Sequence, residues 1–212
     1  MSATQAIVRL DLLTVRPYRK QLLVLVAGGL AIPISRPDPA VALPSAAVDA
    51  ALAAAYPFAI GDKADLSTLL GALPVRRDTV VVGRYVFATL TFLGAAAIAT
   101  VAMFAVAAAR SLPVEPATTA VLLATSFAVF ALTVGIQFPM YFAMGYTRAR
   151  MLAYLPFVAI VLIAVLGAPL LPRGGAGLSP DPALAVAFTA VGLALLTVSA
   201  LVSCKVFGRR AL

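Results

Sequence analysis

The feature that most constrains this sequence is a series of six apolar segments, five of which contain 20 or more residues. A helix needs roughly 20 apolar residues to cross the hydrocarbon core of a bilayer. An open strand would leave its backbone polar groups unsatisfied in lipid, so we expect helices. The segments are residues 21–34, 41–60, 85–109, 117–137, 151–171 and 183–204. We therefore predict an all-α polytopic membrane protein, with six transmembrane helices in a single domain over residues 1–212.

The charged residues agree with a membrane protein and predict its orientation. They make up 11% of the chain, whereas a soluble domain carries about a quarter, so too few remain to cover a water-facing surface. Of the 16 Lys and Arg residues, 13 lie in the N-terminal arm, in loops 61–84 and 145–150, and in the C-terminal tail. The positive-inside rule then places both termini in the cytoplasm. We expect the chain in the inner membrane of a bacterium. Nucleic acid is not expected as a partner, because no basic stretch outside the spans is long enough to form a patch.

The N-terminal region leaves two alternatives open. The first apolar segment is short and follows basic residues, and Ser45-Ala46-Ala47 weakly resembles a signal-peptide cleavage site. The long basic arm, which contains Asp11, and the five further segments favour a retained span. Residues 8–15 mix apolar and charged side chains, which fits either a short amphipathic helix at the membrane surface or a disordered arm.

Motifs for catalysis, cofactors and metals are missing from the sequence. It has no histidine, one cysteine, no G-x-x-x-x-G-K-[ST] loop, no H-E-x-x-H and no G-x-S-x-G. We therefore expect no catalytic, cofactor-binding or metal residues. An intramembrane enzyme would need converging acids or nucleophiles at one depth, and Asp49 stands alone.

The loop after the second segment contains a predicted amphipathic helix. Its leucines recur at i, i+3, i+4 and i+7, which places them on one face: Leu66, Leu69, Leu70 and Leu73. Asp65 or Ser67 can cap its start, and Pro74 ends it. Spacing alone allows either a helix that only rests on the membrane or one that docks to a cytoplasmic partner. Arg76 and Arg77, which follow it, suit carboxylates of a partner or lipid phosphates.

Two motifs flank the third and fifth predicted spans. The first comprises Asp62, then Leu73-Pro74-Val75-Arg76-Arg77, then Val80-Val81-Val82-Gly83-Arg84-Tyr85. The second comprises Phe138-Pro139-Met140-Tyr141-Phe142 and Gly145-Tyr146-Thr147-Arg148-Ala149-Arg150. Both resemble motifs of the compact six-span permeases of ATP-binding-cassette exporters of the second (ABC-two) class. The chain departs from the family at Gly61 and Lys63, where the family often pairs two acids.

The resemblance implies a permease that a separate cytoplasmic ATPase subunit energises, with ATP and Mg bound in that subunit. It implies a dimer with a second permease copy or a paralogue, and it does not indicate the substrate. It also implies ATPase coupling through residues of the loop after the second segment: Asp62, Asp65, Leu66, Leu69, Leu70, Leu73, Pro74, Arg76 and Arg77. The alternative is a structural or regulatory membrane protein that does not transport. A secondary transporter is disfavoured because no pair of broken helices is evident.

Two polar residues fall inside or at the end of predicted spans. Asp49 lies near the middle of the second span, where an acid costs about 2.5–3.5 kcal/mol to insert. It is a candidate for the translocation path or a subunit contact. Its alternatives are a helix–helix hydrogen bond, a protonated and silent carboxyl, or a position nearer the outer interface. Gln137, beside Phe138-Pro139, is a second candidate at a predicted kink.

Overall fold

The computed structural model describes residues 3–64, 76–153, 155, 158 and 181–209, and the regular structure in these ranges is helical. This confirms the all-α part of the predicted fold class. Short 3-10 turns at Arg16–Tyr18 and Pro39–Val41 precede α2 and α3. The helices in chain order are α1 (Ala3–Val15), α2 (Arg19–Ser35), α3 (Ala42–Lys63), α4 (Arg77–Ala109), α5 (Pro116–Met144), α6 (Tyr146–Ala153) and α7 (Pro182–Arg209).

Among the described residues, four stretches of helix are long and apolar enough to cross a membrane: Pro39–Lys63, Arg77–Ala109, Pro116–Met144 and Pro182–Arg209. They contain the second, third, fourth and sixth predicted spans. The first predicted span falls within α2, which has 17 residues. Most of the fifth, 151–171, lies outside the described residues, so the count of six stays a prediction.

The predicted loops at one end of the bundle were wrong in two places. The charge pattern predicts a loop over residues 77–84, but α4 begins at Arg77, with Asp78 in its first turn and Val80 and Val81 buried. The charge pattern also predicts a loop over residues 145–150, but α6 begins at Tyr146, directly after Gly145. Hydropathy alone sets the predicted bounds, whereas both helices extend beyond the apolar residues and bury part of the extension, including Val80, Val81 and Ala149.

The core of the bundle depends on small residues that let helices approach closely. One face of α3 consists of buried alanines at helical spacing: Ala47, Ala50, Ala51 and Ala54. Gly192 of α7 faces Phe127 of α5, whose ring atoms would lie 2.8 Å from an added β carbon. Phe130 and Phe138 fill the space between these helices and are fully buried. Close packing of this kind holds helices together in lipid, because the hydrophobic effect does not drive helices to associate there.

The N-terminal arm is a helix that packs against α4. Helix α1 starts at Ala3 and buries Ile7, Asp11 and Val15, which follow one another at intervals of four residues on a single face. A β carbon at Gly83 would lie 2.6 Å from Ile7 Cγ2, so the missing side chain allows the two helices to meet. Of the two alternatives for residues 8–15, the structure therefore supports the helix, and it adds a packed face that contains an acid.

Candidate functional site at the basic end of the bundle

We call the end of the bundle that carries Lys63, Arg77, Arg148 and Arg209 the basic end. Three of the predicted coupling residues are described there: Asp62, Arg76 and Arg77. The predicted amphipathic helix, with Asp65, Leu66, Leu69, Leu70, Leu73 and Pro74, lies outside the described residues. The structure therefore shows what holds both flanks of that segment.

Asp62 joins the end of α3 to the start of α6. Its Oδ2 accepts a hydrogen bond from the backbone N–H of Thr147 at 2.9 Å, and a second from the Thr147 hydroxyl. The first turn of a helix has backbone N–H groups without intrahelical partners, and a carboxylate there also meets the positive end of the helix dipole. Asp62 thus caps a helix from another part of the chain.

Arg77 joins the start of α4 to the end of α7. Its guanidinium donates to the carbonyls of Phe207 and Gly208, both at 3.2 Å, and lies 5.9 Å from the centre of the Phe207 ring. Carbonyls in the last turn of a helix lack intrahelical partners, and a cation stabilises that end. Arg76, in contrast, is exposed and precedes the first turn of α4.

A buried ion pair that the sequence did not indicate connects α1 to α4. Arg84 Nε lies 3.1 Å from Asp11 Oδ2, and the guanidinium carbon of Arg84 lies 4.5 Å from the centre of the Phe58 ring of α3. Burial raises the pKa of the Asp11 carboxyl to about 6, and the Arg84 charge opposes that increase. The one available signal was that Asp11 shares a helical face with Ile7 and Val15.

Phe58 is also the centre of an aromatic cluster between α3 and α5. Its ring centroid lies 4.8 Å from that of Phe138 and 5.1 Å from those of Tyr141 and Phe142. The Phe138 ring in turn meets Tyr85 of α4 at 5.0 Å. The second motif of the resemblance therefore forms part of the packing of the basic end.

A buried polar network ties α4, α5 and α7 together beside this cluster. The Tyr85 hydroxyl lies 2.5 Å from Ser199 Oγ and 3.0 Å from Ser203 Oγ. Ser199 donates its proton to the carbonyl of Gly135 at 2.7 Å. Since a serine hydroxyl has a single proton, Tyr85 donates to Ser199 and accepts from Ser203.

Pro139 explains why the Gly135 carbonyl is free to accept that bond. In an α-helix this carbonyl would accept from the N–H four residues later, and proline has none. Helix α5 runs on through Pro139 to Met144 because a hydroxyl from α7 replaces the missing donor. Gln137, one of the predicted polar candidates, is buried in α5 in the same turns.

Asp49 lies close to the midpoint of the Pro39–Lys63 stretch and is half-buried. Its carboxylate occupies the space over Gly29 of α2, where a β carbon would overlap Oδ2. A small cavity beside it has apolar walls from three helices, including Val26, Ala46 and Ile98. Among the described residues, none forms a hydrogen bond with its carboxylate. Asp49 thus sits at the junction of α2, α3 and α4.

At the opposite end of the bundle, the charged side chains Arg110, Asp38 and Glu115 form hydrogen bonds with groups close to them. Arg110 donates to the carbonyls of Ile34 and Arg36 and so caps α2, as Arg77 caps α7. A cleft of about 600 Å³ there contains Asp38 and Glu115 in its walls. Asp38 accepts from the Ala40 N–H, and Glu115 accepts from the Thr118 hydroxyl. In the described part of the chain, no three His, Cys, Asp or Glu side chains are placed to hold a metal ion.

The family model described as "ABC-2 family transporter protein" matches residues 6–208, nearly the whole chain. No curated protein and no solved structure matches it.

Proposed function

Because the chain belongs to the ABC-2 family of transporter proteins, we propose that it is the membrane-spanning permease subunit of an ATP-driven exporter. The family match over residues 6–208 is the observation that carries this proposal. The motifs around Asp62–Tyr85 and Phe138–Arg150 support it, since they resemble those of compact exporter permeases.

A separate cytoplasmic ATPase subunit energises the permease, and it binds the ATP and Mg. The sequence supports this division because it has no phosphate-cradling G-x-x-x-x-G-K-[ST] loop. The chain itself then performs no chemistry. It converts the movement of the ATPase into a change of helix positions.

Residues 65–73 are the proposed point of contact with that ATPase. The leucine stripe is the docking face, and Asp62, Pro74, Arg76 and Arg77 flank it. The structure supports transmission because both flanks are anchored: Asp62 holds α6, and Arg77 holds the end of α7. Displacement of this segment would therefore act on α3, α4, α6 and α7 as a rigid-body movement.

The translocation pathway is proposed to form between two permease copies, or between this chain and a paralogue, in the bacterial inner membrane with both termini in the cytoplasm. Asp49 and Gln137 are its proposed intramembrane polar residues. Asp49 supports this role best, because it is half-buried near the middle of its helix and no described residue forms a hydrogen bond with it. Polar groups at such depth are costly and usually serve a function.

Co-purification tests the docking proposal. We expect the chain to retain its ATP-binding subunit through purification, and Leu69→Asp with Leu70→Asp to abolish that association, since two carboxylates on the apolar stripe cannot be buried unpaired. Thr68→Asp is the matched control, because position 68 lies off the stripe by helical spacing and its charge should be tolerated.

Undiminished association of the double variant would contradict docking by the leucine stripe. Labelling of a cysteine placed at residue 68 in intact cells would show which side of the membrane the segment faces. Access from the outer side would contradict the exporter assignment as a whole.

A further inference from the structure

Asp62 links two connections at the basic end of the bundle. One runs from α3 to α4, and the other runs from α5 to α6. Asp62 lies in the last turn of α3, immediately before the segment proposed to meet the ATPase. Its two partners, the N–H and the hydroxyl of Thr147, belong to the first turn of α6. Asp62 is exposed, so its role does not come from filling the core.

Helix α6 is oriented by contacts with the bundle. Gly145 separates it from α5 with a φ of 80°, a conformation that favours glycine, and this turn redirects the chain within one residue. The Tyr146 ring lies 5.3 Å from that of Tyr141, and Ala149 is completely buried. The hydrogen bonds from Thr147 to Asp62 then fix the start of α6 to α3.

We propose that Asp62 is a positioning residue that makes α6 move together with the end of α3 when the ATPase displaces residues 65–75. The displacement would then be transmitted to α4 and also to the residues that follow α6. This inference rests on the proposed function, because it needs an ATPase that acts on that segment. It adds a second route of transmission that the leucine stripe alone does not provide.

The chemistry of Asp62 separates this role from a general effect on folding. Asp62→Asn keeps an oxygen that accepts from the Thr147 N–H but loses the charge at the helix end, so we expect a partial defect. Asp62→Ala removes both bonds. Lys63→Ala is the matched control, because Lys63 is the next residue and is also exposed.

The experiment uses the full chain in complex with its ATP-binding subunit, and it measures permease-dependent ATP hydrolysis. We expect Asp62→Ala to retain the subunit and the thermal stability of the complex but to lower that activity about fivefold or more, the lower range of allosteric couplings. Lys63→Ala should leave it unchanged. Equal activity of Asp62→Ala and the parent chain would overturn the inference.

A reversible covalent link provides the second arm. With Cys204→Ser as background, Asp62→Cys and Thr147→Cys together should be impaired when reduced. The activity should recover on oxidation, when a disulfide replaces the lost hydrogen bonds. Asp62→Cys alone should not recover. If oxidation lowers the activity of the double variant, the two connections must separate during the cycle and the inference is wrong.

The two proposals fail in different ways. If no ATP-binding subunit associates with the parent chain, the proposed function is contradicted and this inference falls with it. If the subunit associates and responds normally in Asp62→Ala, only the positioning role of Asp62 is contradicted.

Discussion

Arg84 Nε lies 3.1 Å from Asp11 Oδ2, and the two side chains keep 7% and 1% of their exposure. The pair joins α1, which precedes the first apolar segment, to the first part of α4. Helix α4 is the helix that follows the segment proposed to meet the ATPase. Burying two charges is favourable only while both partners are present, because either one alone remains desolvated without compensation. The position of α1 therefore depends on α4, and the start of α4 depends on α1.

Replacement of Asp11 by Ala should destabilise the protein by about 3 kcal/mol, since it leaves Arg84 buried without its partner. Thermal unfolding in detergent measures the change. Arg9→Ala is the matched control, because Arg9 is exposed on the same helix and should have little effect. Exchange of the charges, in a variant with both D11R and R84D, should be more stable than the two single changes added together. Simple additivity would contradict a direct interaction.

Gly83→Ala should loosen the contact between α1 and α4, because its β carbon would lie 2.6 Å from Ile7 Cγ2. We expect a loss of about 1–3 kcal/mol, the usual cost of overpacking. Gly94→Ala, in the same helix, has open space around the new β carbon and should be neutral or slightly stabilising. Proteolysis of the N-terminal arm provides an independent measure, and equal cleavage of the two variants would contradict the packing of α1.

Gly29→Ala should destabilise the contact of α2 with α3, because the new β carbon would overlap Asp49 Oδ2. Gly28→Ala is the control one residue away, where no atom lies within 4 Å of the added carbon. If the carboxylate is the cause, Asp49→Ala should restore the thermal stability of Gly29→Ala. A double variant no more stable than Gly29→Ala alone would place Asp49 elsewhere.

Ser199→Ala should cost about 1–3 kcal/mol, since it leaves the buried carbonyl of Gly135 without a donor and the Tyr85 hydroxyl without the acceptor Ser199. Adding Pro139→Ala restores a backbone N–H four residues after Gly135 and should recover the part of that stability that the carbonyl lost. Thr197→Ala serves as control, because its hydroxyl bonds within α7 and its side chain is exposed. If Pro139→Ala does not help the Ser199 variant, the hydroxyl is not the substitute for the missing helix bond.

Several elements of the candidate site can be predicted from the sequence alone. The length of the apolar segments predicted helices, and α2, α3, α4, α5 and α7 contain five of the six. The family resemblance points to the motif residues Asp62 and Arg77, and the structure places both at helix ends. Their partners, Thr147 and the carbonyls of α7, could not be predicted because they lie far along the chain. Residues 65–73, with the leucine stripe, remain a prediction.

The ion pair of Asp11 and Arg84 shows why the rest could not be read from the sequence. The sequence predicts Arg84 in a loop, because this residue is charged and precedes an apolar segment. In the structure it lies inside α4, where α1 and Phe58 cover it. A buried charge is recognisable only when its partner is known.

The sequence by itself determined that this chain is an α-helical membrane protein, and it determined which end of the bundle is basic. These properties follow from the length of apolar segments and the sum of loop charges, which need no knowledge of neighbours. Only the tertiary structure decided which polar groups meet: Asp11 with Arg84, Asp62 with Thr147, and Ser199 with the carbonyl freed by Pro139. Such pairings depend on how each helix is rotated and which helix lies beside it, and both are set by close packing between distant segments.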